Sequence, residues 1–351
     1  MGTPADYLPE SISHDAINEL LISFNLHPAI DIRQVAVTAQ YHGVYFITVP
    51  PNNKAIHNEL VLRVSGNHLP YIKTENEVGV MAWVAKNTKI PIPALVGYDS
   101  TPNNPTGHEY TLMSRVPGET ICNIYSSLSP DEICQILDQL IDMLTELHAH
   151  DFSAIGGLYL DRNGEIQVGR IVDETYWQVP DIEILWPQGE TVDSLNLGGP
   201  YATYTELVAG QVNTYIRLIN LHDKLEFMRD AIPHLERFAA AVGSNREYAP
   251  ELNKVKLRLA HKDLHFANML YDRSSNRITG ILDWEFSGVV PFTQWNPRRA
   301  FLWNGRDDAD SVDEKQRVLR LFEERCERKG RRDTAGCHVL VAATGKHAEG
   351  R

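Results

Sequence analysis

The chain has 351 residues, with 33 Lys plus Arg against 46 Asp plus Glu and a net charge of -13. That length suits one large domain or two lobes, and 43% hydrophobic with 23% charged residues argues against wholesale disorder. The acidic balance disfavours non-specific contact with nucleic acid or anionic lipid, yet a metal ion and a few local cations can still hold a small anionic ligand. The four cysteines (Cys122, Cys134, Cys326, Cys337) form no CxxC pair, so neither a disulfide scaffold nor a zinc ribbon is indicated. MGTPADYLPES lacks a basic-then-apolar signal region, and Asp6 stands where a myristoylation pattern wants Ser or Thr. No window approaches the roughly 20 apolar residues of a membrane span. The expected location is cytoplasmic, with no nucleic-acid or membrane partner; no feature sets an oligomeric state.

In chain order, SHDAINELLISFN predicts an opening helix with Ser13 as cap. QVAVTAQYHGVYFITV (34–49) and HNELVLRV (57–64), rich in β-branched and aromatic residues, predict three antiparallel strands around a PPNNK turn. A helix follows over 74–87, with Val78, Met81, Val84 and Ala85 on one side. IPIPALVGYD (90–99) and HEYTLMSRV (108–116) predict two more strands, and PGET (117–120) a hinge. SLSPDEICQILDQLIDMLTELHAH predicts a long helix, with Ser129 as cap, Pro130 at the first position, Glu132 closing a capping box, and Ile133, Ile136, Leu137, Leu140, Leu144 and Leu147 at helical spacing. Residues 151–200 read as irregular. One helical region is predicted over 203–230 and a shorter one over HLERFAAAV. KVKLRLA then leads as a strand into HKDLHFAN, and NMLYD and ITGILDW form a hairpin. A capped helix from Ser311 to Gly330 follows, and a tail over 331–351 expected to be disordered.

HKDLHFAN (261–268) admits three readings. His261 and His265, four apart, would share a helix face as in zinc proteases, but Lys262 stands where a catalytic Glu is needed and the flanking strands argue against a helix. A solvated polar turn is the plain alternative. The third reading takes in more of the chain: His261, Asp263, Asn268, then a hairpin, then Asp283 in GILDWE. Phosphoryl transfer from ATP needs one carboxylate to orient the attacking hydroxyl, and an amide oxygen with a second carboxylate to hold Mg²⁺. Asp263 suits the first role, and Asn268 and Asp283 the second. Oxygen ligands without a thiolate suit Mg²⁺ rather than zinc.

This pattern resembles the aminoglycoside phosphotransferase family, which includes choline-kinase-like small-molecule kinases and shares the protein-kinase-like fold. The family signature is a His-Gly-Asp-Leu-His loop with a following Asn, then an Ile/Leu-Asp-Trp-Glu element; HKDLHFANML, ILDWE and LMSRVPGET match it. The resemblance implies a bilobal α+β fold, with a small antiparallel-sheet N-lobe and a larger, mainly helical C-lobe. On that frame residues 1–30 form an N-terminal helical segment, 31–116 the N-lobe, 117–330 the C-lobe and 331–351 the tail.

It further implies that Asp263 is the catalytic base, that Asn268 and Asp283 hold Mg²⁺, and that His261 and His265 shape the loop. Glu77 would pair with the phosphate-binding cation, with Glu75 as rival. The nucleotide is ATP, with GTP as the alternative, its adenine met by the backbone of Met113–Arg115. Three departures stand out. Arg63 replaces the family lysine on the third strand, and its planar fork is no drop-in for an ammonium. TAQYHGVYF offers only Gly43 as a phosphate-loop glycine. Few residues follow ILDWE to build an acceptor pocket, so the acceptor site is either incomplete or formed mainly from 151–240. The expected activity moves the γ-phosphate to a hydroxyl of a small molecule, whether a metabolite such as choline, homoserine or a sugar, or an antibiotic-like compound. A pseudokinase acting as nucleotide-binding or scaffold protein is the alternative. Glu285 is a candidate for gripping an amine, or equally a residue that supports the groups in contact with substrate.

Overall fold

A computed structural model describes residues 8–35, 41–51, 58–244, 249–292 and 309–331. The expected disordered tail, apart from Arg331, and part of the Gly43 loop (36–40) lie outside them. Helix α1 (His14–Ser23) starts at Ser13, whose Oγ accepts from the Ala16 amide at 3.2 Å. Five strands follow: β1 (Asp31–Val35), β2 (His42–Thr48) and β3 (Glu59–Ser65) before helix α2 (Ile72–Asn87), then β4 (Leu95–Asp99) and β5 (Tyr110–Ser114). They make one antiparallel sheet in the order β1-β2-β3-β5-β4.

The period of two along a strand decides what each face carries. Leu60, Leu62, Tyr45, Ile47 and Leu112 turn to one face and pack against Ile17, Leu20 and Leu21 of α1. Arg63 and Met113 therefore turn to the other face, where α2 lies. Helix α2 starts two residues earlier than predicted, which brings Lys73 into its first turn. It is buried on more than its apolar side: Lys73, Asn76 and Glu77 are as hidden as Val80 and Val84.

Past β5, Gly118 takes φ +113° in the PGET turn, where a Cβ would lie 2.9 Å from the Tyr271 carbonyl oxygen. Strand β6 (Glu119–Thr120) and helix α3 (Ile121–Ile124) follow, then α4 (Pro130–Leu147). Both hydrogen bonds of the Ser129–Glu132 capping box are made, and every apolar position picked out from its spacing is buried.

Residues 151–200 are more ordered than expected. A hairpin of β7 (Leu158–Leu160) and β8 (Ile166–Val168) precedes α5 (Val179–Leu185) and α6 (Val192–Leu195). Its strands of three residues are too short to register as a periodic pattern, and they are held by α2: Gly79 sits against the Leu158 carbonyl, with no room for a Cβ. The region predicted as one helix over 203–230 divides. Helix α7 (Tyr204–Leu221) ends at His222, whose ψ of 120° breaks the spiral. A 3-10 stretch (Asp223–Ala231) leads to α8 (Ile232–Ser244), with Pro233 in its first turn, where a missing N–H costs nothing. After α9 (Ala249–Leu252) come β9 (Leu257–Ala260), the hairpin β10 (Met269–Asp272) and β11 (Arg277–Ile281), and β12 (Gly288–Pro291), which pairs with β9. Helix α10 (Ala309–Arg328) docks on α4 through Val318 and Phe322 and through the Arg325–Asp138 pair. The result is an α+β chain with a small antiparallel-sheet lobe and a larger, mainly helical lobe.

Candidate active site

The loop 261–268 leaves β9, and residues 282–287 return to β12, so one strand pair gathers both ends of the site. His261 fastens them together. Its Nε2 donates to the Leu282 carbonyl at 2.8 Å, its own carbonyl accepts from Ser287 Oγ at 2.9 Å, and its ring lies 4.4 Å from that of Trp284. Burial holds this imidazole below its ordinary pKa, hence neutral. His261 is a brace, and the loop is no zinc helix: only Phe266–Asn268 make a helical turn, a 3-10 one. Among the described residues no group of three or more His, Cys, Asp or Glu is placed to hold a metal on its own.

Asp263 is 45% exposed at its side chain and is held from two sides. Asn268 Nδ2 donates to its Oδ2 at 3.1 Å and to its carbonyl at 3.0 Å. His265 Nδ1 accepts from the Ala267 amide, which leaves Nε2–H to face Asp263 Oδ1 at 3.4 Å. Burial alone would lower the His265 pKa, but the Asp263 carboxylate outweighs it and the pKa is raised. With its nitrogen turned to Asp263, Asn268 presents its amide oxygen as the other end. The Leu282 amide donates to the Asn268 carbonyl at 2.8 Å, which sets Asp283 beside Asn268. Asp283 takes φ +67°, an uncommon conformation for a residue with a Cβ.

The sheet supplies the cation. Arg63 Nη1 pairs with Glu77 Oε1, and Nη2 reaches Asp283 Oδ1 at 2.7 Å and His42 Nδ1 at 3.2 Å. Burial would raise the Asp283 carboxyl, but Arg63 outweighs it and holds the group below its usual range. Glu75, the rival to Glu77, accepts from Ser100 Oγ at the end of β4 instead.

Arg63, Glu77, Asp263, Asn268 and Asp283 thus come together; the other three expected residues are placed differently. Gly43 pairs with Val64 in the ladder, and a Cβ there would meet only ordinary contacts at 3.6 Å, so the described backbone does not demand glycine. Met113 is buried inside the sheet between β3 and β4. The Arg115 amide already donates to the Glu59 carbonyl at 2.9 Å, and its guanidinium lies over Phe46. Val116 carries the first amide past them that donates to no described residue.

Two further residues at the site escaped the sequence reading. Lys73 Nζ, 1% exposed, lies 2.6 Å from Glu285 Oε2 and 2.7 Å from His42 Nε2. Burial pushes the Glu285 carboxyl up to about 7 against the pull of Lys73. Of its two expected roles Glu285 therefore takes the supporting one: it is 3% exposed and paired with Lys73, out of reach of a substrate amine. Lys73 and Glu77, at i and i+4, share a helix face, a spacing that the predicted helix missed by starting two residues late.

Residues 36–294 match the family model described as the phosphotransferase enzyme family, APH. The chain belongs to this family. A subtelomeric hrmA-associated cluster protein of Aspergillus fumigatus is 24% identical over 79% of the chain, and clavilactone A biosynthesis cluster protein Y of Ampulloclitocybe clavipes is 25% identical over 81%. The chain spans 63% and 62% of the lengths of these two relatives. Among solved structures it is similar to the streptomycin–ATP complex of APH(2")-IIa, with 15% identity, 93% of this chain and 87% of that one covered, and a TM-score of 0.49. A complex of APH(4)-Ia with AMP-PNP and hygromycin B has 17% identity, covers 89% and 83%, and gives a TM-score of 0.47.

Proposed function

We propose that this family member is an ATP-dependent phosphotransferase acting on a hydroxyl of a small molecule. The observation that carries the reading is the convergence of Asp263, Asn268 and Asp283 on one strand pair, faced by the Arg63–Glu77 pair across the cleft. Asp263, half exposed, accepts or orients the proton of the attacking hydroxyl. The Asn268 amide oxygen and the Asp283 carboxylate form a hard, two-point oxygen site that fits Mg²⁺, an ion that fills its remaining positions with phosphate oxygens and water. That ion would neutralise charge on the transferred phosphoryl group. Arg63, paired with Glu77 through Nη1, would turn its Nη2 from Asp283 to the phosphates once a metal takes that carboxylate. ATP is the donor, with GTP as the alternative, and Val116 with the neighbouring carbonyls replaces the Met113–Arg115 amides as the adenine contact.

A second reading, a nucleotide-binding or scaffold protein without turnover, is favoured by one feature: Arg63 grips the same Asp283 that the metal needs. Thermal shift with Mg-ATP, on the native chain and on Asp283→Ala, tests the first reading. A rise in melting temperature that disappears in Asp283→Ala supports it. The absence of any rise at millimolar Mg-ATP in the native chain overturns it.

A further inference from the structure

The catalytic loop turns at Lys262 with φ +65°. The family signature has glycine here, the residue that enters left-handed backbone without a Cβ penalty. A lysine in this conformation has to make contacts that glycine could not. Lys262 Nζ donates to the Val172 carbonyl at 2.9 Å and lies 3.5 Å from Asp173 Oδ2, with its side chain 22% exposed. Asp173 in turn organises the residues after it: its Oδ1 accepts from Thr175 Oγ1 at 2.7 Å and from the Thr175 amide at 3.1 Å, and its carbonyl accepts from the Tyr176 amide at 3.2 Å.

The segment then runs toward the tip of β2. Gln178 hydrogen-bonds Tyr41, and Glu174 and Asp283 both act on the Tyr41 hydroxyl by charge, pushing its pKa up after burial. Behind, Val172 packs with Leu69, Ile72 and Phe286. In front, the Lys262 side chain, next to Asp263, ties the segment to the catalytic loop. Segment 172–178 thus runs from the residue beside Asp263 to Tyr41, the neighbour of the His42 that contacts Arg63.

We propose that Lys262 is a positioning residue: its ammonium latches segment 172–176 onto the catalytic loop, and that segment forms a wall of the acceptor site between the loop and Tyr41. The wall assignment rests on the phosphotransferase reading; the latch does not. Lys262 touches no reacting atom and acts through Val172 and Asp173.

Hydrogen–deuterium exchange on the full chain tests this with Lys262→Gly, which suits the turn but removes the latch, and Lys262→Arg, which keeps a cationic donor. In Lys262→Gly the amides of Thr175 and Tyr176 exchange at least tenfold faster, and Lys262→Arg restores most of their protection. Mg-ATP affinity stays within twofold of native in both variants. Native-like protection in Lys262→Gly overturns the latch, as does a failure of Lys262→Arg to restore it. A tenfold loss of Mg-ATP affinity in Lys262→Gly overturns the wall assignment and places Lys262 on the nucleotide. If the native chain binds no Mg-ATP while the exchange pattern is as expected, the phosphotransferase reading falls and the latch stands.

Discussion

The two sides of the candidate site are built on opposite electrostatic terms. On the loop side, Asp263 is 45% exposed and leans on an amide and an imidazole. On the sheet side, Lys73 and Glu285 are 1% and 4% exposed at their side chains, and Arg63 ties three partners together. Water screens charges on the first side, so a carboxylate there can change its partners during a reaction at little cost to the fold. On the second side each charge depends on its neighbour, because a buried ion without a partner costs several kcal/mol. On the proposed reading, the loop side serves the chemistry and the sheet side holds a cation in place.

The sharpest way to break this contrast is at Asp263. Asp263→Asn removes the proton acceptor but keeps an oxygen for Asn268 Nδ2, so turnover should fall about 10³-fold, roughly 4 kcal/mol of barrier. Mg-ATP binding and melting temperature should stay near native. Steady-state kinetics beside a melting curve checks this. A variant that keeps its turnover removes Asp263 from the chemistry, and one that unfolds shows the loop side to be as structural as the sheet side.

Lys73→Met tests the other half. It strands Glu285, whose carboxyl burial already pushes up to about 7, so above that pH the expected loss is about 3 kcal/mol of stability. Urea denaturation at about pH 9 reads it, where the unpaired carboxyl stays neutral only by taking up a proton at a cost. Lys73→Met combined with Glu285→Gln should recover part of it, because the stranded charge is gone. If the double variant is no more stable than Lys73→Met, packing rather than charge pairing governs the sheet side.

The loop side was also the more legible in sequence, for a local reason. Asp263, Asn268 and Asp283 lie within 21 positions of one another, joined by a tight hairpin whose turn residues and alternation are visible in the chain. Arg63 and Glu77 are placed by the resemblance to the family, which implies a cation on the third strand and a glutamate on the helix after it. Lys73 could not be placed, since its acidic partner lies at the far end of the sequence: it meets Glu285 across 212 positions, and His42 takes its place only through Lys73 and Arg63. Of the two readings of Glu285, the supporting one holds, because the carboxyl is charge-paired with Lys73 and buried. The Arg115 amide, in the segment expected to meet the adenine, instead completes the β3–β5 ladder. Between 151 and 200 the strands are too short for a period to show, and their order comes from packing on α2.

A smaller effect sharpens the comparison from outside the site, where α10 meets α4. Asp138 takes Arg325 Nε at 2.8 Å and the Lys329 ammonium on its backbone carbonyl at 3.0 Å, with its carboxylate about one-third exposed. The Arg325 hydrogen bond holds the Asp138 carboxyl below its ordinary range. Its folded pKa lies under its unfolded one, so the pair's stabilisation is present above about pH 4 and is lost as pH falls through the folded value. Partial exposure limits the gain to about 1 kcal/mol. Asp138→Asn should therefore lower stability by about that much at neutral pH, and the gap to the native chain should close as acid is added. Melting curves from pH 7 down to pH 3 give both numbers. A gap that persists in acid would mean that Asp138 contributes through its packing on α10. A gap as large as that of Lys73→Met would mean that burial is not what separates the charges of the sheet side from those of the surface.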